Sequence, residues 1–181
     1  APQQGACLAC SGRLYSQALW PPRFMSVKPI PDGYHSVTPY LICRNAAAAI
    51  DYYTKAFGAR ERMRLPMPGG LLGHAELEIG DSVVMLADEN QEWGAMSPQT
   101  LGGTPASVLI YVEDVDTVFQ RAIDAGAKVV RPLQDQFYGD RSGHLEDPFG
   151  HRWSVATHVE DVSPEELQKR MQAGPDCGGE G

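Results

Sequence analysis

Cysteine is scarce in this chain: four in 181 residues, too few and too scattered to staple a small secreted fold. No run approaches the ~20 apolar residues that a membrane span requires. Nor is there a block of Lys and Arg; the net charge is −8, which speaks against nucleic acid or an anionic membrane as a partner. The acidity reads as a solubility feature. There is no Gly-x-Ser-x-Gly elbow, phosphate loop or dinucleotide fingerprint, so serine-hydrolase, nucleotide-triphosphate and nicotinamide chemistries lack their usual signatures. The opening residues show no charged stretch followed by a long apolar one. No secretory signal is expected, and the cytoplasm is the expected location.

What the chain does have is a repeated pattern. Asp147-Pro148-Phe149-Gly150 has the residue order of a tight turn, and the short runs around it read as a β-hairpin. A weaker copy, Gly73-His74-Ala75-Glu76-Leu77-Glu78-Ile79-Gly80, matches it at an offset of 70: Gly73 to Gly143, His74 to His144, Glu76 to Glu146, Gly80 to Gly150. The fronts of the two halves match at an offset of 69, with the first helix read as one residue longer. Tyr40-Leu41-Ile42-Cys43 precedes a helical face of Ala49, Ile50, Tyr53 and Phe57 that stops at Gly58. Ser107–Tyr111 precedes Val115, Val118, Phe119 and Ala122, stopping at Gly126. Asn45 and Asp114 suit N-caps, and the two glycines suit helix ends. Each half thus reads strand, helix, three strands. Units of that size need each other to bury their sheets, so one pseudo-symmetric α+β domain over 25–160 is expected, with modules at about 34–88 and 106–158.

This element order, together with Ala49-Ile50-Asp51-Tyr52-Tyr53-Thr54-Lys55-Ala56-Phe57-Gly58-Ala59 and Glu146-Asp147-Pro148-Phe149-Gly150-His151-Arg152-Trp153, resembles the vicinal oxygen chelate superfamily. That group contains glyoxalase I, extradiol dioxygenases, fosfomycin-resistance enzymes and bleomycin-binding proteins; the PhnB-like branch is nearest in texture. The resemblance implies paired βαβββ modules forming a curved, cup-shaped sheet, with helices outside and ligand inside. It also implies four metal positions, which fall on Thr38, Met85, Ser107 and Ser154; a slip of one would bring Val84 or Val155 instead. None is imidazole, carboxylate or thiolate, and hydroxyls and a thioether are poor ligands for Mn, Fe, Ni or Zn. The expectation is therefore no metal or other cofactor, and no glyoxalase I activity.

Two function classes stand. The first is a metal-free binding protein that sequesters or carries a small organic molecule, aromatic or antibiotic-like, in the cup. Its expected lining is Thr38, Tyr40, His74, Met85, Trp93, Ser107, Tyr111, Arg141 and Ser154. Tyr40, Tyr111 and Met85 offer stacking and soft contact, Trp93 can close over the mouth, and Arg141 can fork onto a carboxylate or phosphate or instead anchor its loop. The second class is an enzyme: a lyase or isomerase with relocated ligands His74, Glu76, His144 and Glu146, or a metal-free acid/base catalyst using His74 or Glu76. His35, His151 and His158 lie at strand ends without obvious partners. A homodimer with two equivalent sites is expected from the resemblance.

The flanks fit the repeat less well. Residues 1–24 read as a leader or appended extension ahead of Met25, and Cys7-Leu8-Ala9-Cys10 is half a zinc site at most. Over 161–181, Ser163-Pro164-Glu165-Glu166 starts a short helix with Leu167 and Met171 as its apolar stripe.

Overall fold

The computed structural model describes residues 27–173; the Cys7–Cys10 pair and the first 24 residues lie outside them. Each module follows one plan. The first contains β1 (Tyr40–Cys43), α1 (Ala46–Phe57), β2 (Arg60–Pro66), β3 (Leu72–Ile79) and β4 (Ser82–Asp88). After a linker with the short α2 (Pro98–Leu101) come β5 (Ser107–Tyr111), α3 (Val115–Asp124), β6 (Lys128–Asp135), β7 (Asp140–Glu146) and β8 (Arg152–His158). The strands form two four-stranded sheets, ordered β1-β4-β3-β2 and β5-β8-β7-β6. In both, the first strand runs parallel to the last while the other pairs are antiparallel.

Local chemistry sets the helix ends. The Asn45 side chain accepts from the Ala48 amide at 3.0 Å, and the Asp114 side chain accepts from the Thr117 amide at 3.0 Å, so each satisfies an otherwise unpaired first-turn N–H. Helix α1 stops at Gly58, whose φ of 68° lies in the left-handed region that favours glycine.

The two modules share one core. Helices α1 and α3 pack on each other, and α1 places Tyr53 and Phe57 against Trp153 of β8, with ring centroids 5.3 and 4.8 Å apart. Tyr53 and Trp153 are fully buried, and both bond to one carboxylate. Asp147 Oδ2 accepts from the Tyr53 hydroxyl (2.7 Å) and Trp153 Nε1 (2.9 Å), while Oδ1 accepts from the amides of Phe149 and His151, both at 2.9 Å. The turn read from the sequence is therefore also the buried joint between the modules. A final helix, α4 (Pro164–Ala173), begins where the Ser163 hydroxyl accepts from the Glu166 amide. Its anchor is Arg170, bonded to Glu160 and to the Phe137 carbonyl. Met171 does not join the expected apolar stripe; it is exposed.

The sheet register corrects the repeat. Met85 lies opposite Tyr40 and Ser154 opposite Leu109, so these strands correspond at an offset of 69. Glu76 lies opposite Met85, however, and His144 opposite Ser154, an offset of 68. His144 thus corresponds to Glu76, not to His74, and the expected His74/His144 and Glu76/Glu146 equivalences fail. The cause is turn length. Ile79 and Ser82 flank a two-residue turn, whereas Glu146 and Arg152 flank a five-residue one. Matching Gly80 with Gly150 aligned two glycines that occupy different places in unlike loops.

Candidate ligand-binding site

Strand alternation gives each sheet a core face and a free face. On the first sheet Leu41, Ala75, Leu77, Val84 and Leu86 are buried against the helices. Tyr40, His74, Glu76 and Met85 take the opposite face. Near the ends of β1 and β4 that face opens into a cleft of ≈ 190 Å³. Its walls are mostly apolar: Tyr40, Ile42, Leu72 and Ala87 from the sheet, Met67 and Leu71 from the β2–β3 loop, and Trp93 from the linker. The loop folds back because the Met67 amide donates to the Leu71 carbonyl at 2.7 Å around a single turn at Pro68–Gly70. Trp93 ends another single turn, capped by the Asn90 side chain and by Gly94. It is 75% exposed, so an apolar ligand in the cleft has a large indole surface to cover.

Two carboxylates border the cleft but are already committed. Asp88 accepts from the amides of Ala46 (2.8 Å) and Leu72 (2.7 Å), fixing the start of α1 and of β3. Glu89 accepts from the hydroxyls of Thr100 (2.6 Å) and Ser97 (2.8 Å), which hold its carboxyl below the ordinary range.

Beside the cleft runs a polar chain. The Tyr40 hydroxyl is 2.9 Å from His74 Nδ1, and His74 Nε2 is 3.3 Å from Glu76 Oε1. With Nε2–H donating to the carboxylate, Nδ1 is left to accept from the phenol. Glu76 is 7% exposed and has Arg62 at 3.9 Å. Burial alone would raise its carboxyl, but hydrogen bonds from Tyr34 and His74, with the Arg62 charge, leave it below the ordinary value. Partial burial raises the Tyr40 phenol.

The nine expected lining residues do not converge. Tyr40 and Trp93 line the cleft; His74 touches it through Tyr40, and Met85 sits beside Tyr40 across the strand pair. Thr38 precedes β1 and bonds weakly to the His35 carbonyl at 3.4 Å. Ser107, Tyr111 and Ser154 belong to the second sheet. There Ser154 is buried and its hydroxyl lies 2.7 Å from His144 Nδ1, while Tyr111 donates to Asp140 at 2.8 Å. Arg141 turns the other way: its donors reach Asp116 (2.8 and 2.7 Å) on α3 and Asp135 (3.1 Å), so it anchors helix and strand and leaves no fork for a ligand. The terminal histidines also have partners, contrary to expectation. His35 meets the Asp81 carbonyl at 3.1 Å and His151 the Ile42 carbonyl at 3.2 Å; His158 bridges Asp140 (2.8 Å) and Asp161 (3.0 Å). Met67 and Leu71 were missed, since a Pro-Gly-Gly loop carries no periodicity; the prolines on either side of Met67 were the usable signal.

The donor sets suit a metal poorly. Thr38, Met85, Ser107 and Ser154 offer no charged ligand, and Ser154 is engaged by His144. The alternative set divides between sheets, with His74 and Glu76 on the first and His144 and Glu146 on the second; Glu146 is paired with Arg152 at 2.9 Å. Among the described residues no group of three or more His, Cys, Asp or Glu is placed to hold an ion. Among them, too, no helix is long and apolar enough to cross a membrane.

Comparison with known proteins agrees with this fold. The sequence model of the Glyoxalase/Bleomycin resistance protein/Dioxygenase superfamily matches residues 33–155. An uncharacterized protein of Mycobacterium bovis is 46% identical over 141 residues, covering 76% of this chain and 93% of its own. The crystal structure of TioX from Micromonospora sp. ML1 superposes with a TM-score of 0.55 at 30% identity, over 68% of this chain and 98% of that one. A Bacillus cereus PhnB protein, described as a putative 3-demethylubiquinone-9 3-methyltransferase, shares the fold with a TM-score of 0.54 at 20% identity, over 68% of this chain and 99% of its own.

Proposed function

From the premise that this chain belongs to the Glyoxalase/Bleomycin resistance protein/Dioxygenase superfamily, we propose that it is a metal-free binding protein for a small, flat, largely apolar organic molecule. The observation that carries this reading is the cleft between Tyr40, Leu71 and Trp93. A concave, mostly apolar site with a few oriented polar groups is the usual form of a small-molecule pocket. Here the oriented groups are the Tyr40 hydroxyl and the side chains behind it. A neutral fluorescent probe, N-phenyl-1-naphthylamine, tests the site. Trp93→Ala and Leu71→Asp should each weaken its binding about tenfold, the effect of losing roughly 1–2 kcal/mol of apolar contact. Both side chains are largely exposed, at 75% and 45%, so the fold should survive. Unchanged affinity in both variants would overturn the assignment.

On this reading the protein holds no stoichiometric transition metal and lacks glyoxalase I activity, which needs a Lewis acid on the enediolate oxygens. Plasma mass spectrometry finding about one Ni, Zn or Fe per chain, removable with loss of activity, is the contrary result. The reading also includes a homodimer, supported by the exposed apolar side chains Tyr40 (48%), Leu109 (52%) and Tyr111 (61%) on the free sheet faces. Sedimentation at micromolar concentration as a single 19.7 kDa species would reject it.

A second reading is favoured by the Tyr40–His74–Glu76 chain. A phenol hydrogen-bonded to an imidazole that a buried carboxylate orients can pass a proton to a ligand in the cleft. Tyr40→Phe distinguishes the two: it removes turnover under the enzyme reading and leaves apolar binding within about threefold under the first.

A further inference from the structure

The free face of the second sheet carries a cation, unpaired among the described residues, beside an imidazole and a hydroxyl that the cleft does not use. Arg131 on β6 lies opposite His144 on β7, and His144 lies opposite Ser154 on β8. Cross-strand partners share a face. Leu145, Trp153 and Val155, which alternate with them, are buried in the core, so the three side chains point away from it. Arg131 is exposed and makes no ion pair among the described residues, whereas Arg141 and Arg152 on the same sheet are both paired. Ser154, 6% exposed, shares a hydrogen bond with His144 Nδ1, and His144 Nε2 has no partner among the described residues. The corresponding positions on the first sheet are Met63, Glu76 and Met85, so a carboxylate stands there where the second sheet has the imidazole.

We propose that Arg131, His144 and Ser154 form a binding site for a small oxyanion, the carboxylate, sulfate or phosphate group of an organic acid. The unpaired guanidinium supplies a planar fork of donors, and the His144–Ser154 pair adds one more N–H or O–H. The acidic groups nearby are spent elsewhere. Glu146, two residues along β7, is paired with Arg152, and Asp140 accepts from Tyr111 and His158. Exposed Leu109, opposite Ser154, gives the patch an apolar border for the rest of an organic ligand. Burial and the Arg131 charge both hold His144 below its ordinary value. An anion on Arg131 removes that repulsion. Binding therefore takes up a proton, and affinity rises as pH falls. This site is on a different sheet from the cleft and does not rest on the reading above.

The test is an NMR titration of the full chain with sodium sulfate and with sodium benzoate, against chloride at matched ionic strength. Neither probe titrates between about pH 6 and 8, so any pH dependence belongs to the protein. Saturable shifts at Arg131, His144 and Ser154 are expected, with the His144 titration moving to higher pH. A response to sulfate alone assigns the site to phosphate-type groups, and a response to benzoate assigns it to carboxylates. Arg131→Gln should weaken binding at least tenfold, and His144→Gln should abolish its pH dependence. Non-saturating shifts equal to those of chloride, or full affinity in Arg131→Gln, would overturn the proposal.

Discussion

Replacing Asp147 with Asn changes one atom at the joint between the modules. The carboxylate accepts four hydrogen bonds, two from Tyr53 and Trp153 and two from the amides of Phe149 and His151. An Asn in the same space has one oxygen, so whichever way the amide turns, its NH₂ faces a pair of donors. If that pair is Tyr53 and Trp153, the phenol can rotate to accept, but the indole N–H, on a fully buried side chain, cannot. If the NH₂ instead faces the backbone, two amides are stranded in the turn. A buried donor left without a partner costs ~1–3 kcal/mol, and the lost bonds were charge-assisted. The expected loss is about 2–4 kcal/mol of a total stability of roughly 5–15 kcal/mol. For a chain of this size the midpoint of thermal unfolding falls by roughly 5–15 °C. Urea denaturation followed by circular dichroism measures the loss directly. A change below about 0.5 kcal/mol would refute the reasoning, since it would mean that water or a rearranged turn satisfies the donors.

Other substitutions and pH probe the remaining features. Gly139→Ala should cost at least about 2 kcal/mol in the same denaturation assay, because φ is +99° there and an added Cβ would collide with the Glu160 carbonyl oxygen. Ser107→Leu should be tolerated within about 0.5 kcal/mol while Ser154→Leu costs ~1–3 kcal/mol, since the first side chain is exposed and the second is buried against His144; equal effects would contradict the placement. NMR should find His158 titrating above 6.5, raised by its hydrogen bonds to Asp140 and Asp161, and His144 below 6.5, lowered by burial and Arg131. The His158 contribution to stability is then complete below 6.5 and lost as pH rises through its folded value, whereas that of His144 is present above 6.5 and lost as pH falls through its own.

The parts legible in the sequence were those decided by near neighbours in the chain. Asn45, Asp114 and Ser163 cap helices through an amide three residues away, and Gly58 ends a helix through its own φ, so the residue types alone located those boundaries. Register is not of that kind. It depends on how many residues a turn spends before the strands pair again, and the five-residue loop after Glu146 moved His144 opposite Ser154, while the two-residue loop after Ile79 set Glu76 opposite Met85. Two miscounted positions, one full period of the strand, exchanged an apparent pair of equivalent histidines for a carboxylate on one sheet and an imidazole on the other without changing the face they share. The same parity governs Arg141. It lies between Asp140 and Ser142 on β7, and alternation sends it to the helix side, where Asp116 and Asp135 wait. Counting along the strand from His144 reaches the same result, because residues three apart fall on opposite faces. The cleft was harder to foresee, because Met67, Leu71 and Trp93 reach it from loops whose path is fixed by single backbone bonds and caps. Alternation can say which residues share a sheet face; only the folded loops say which part of that face is roofed, and on the first sheet Met67, Leu71 and Trp93 are the roof that turns an open face into an apolar cleft.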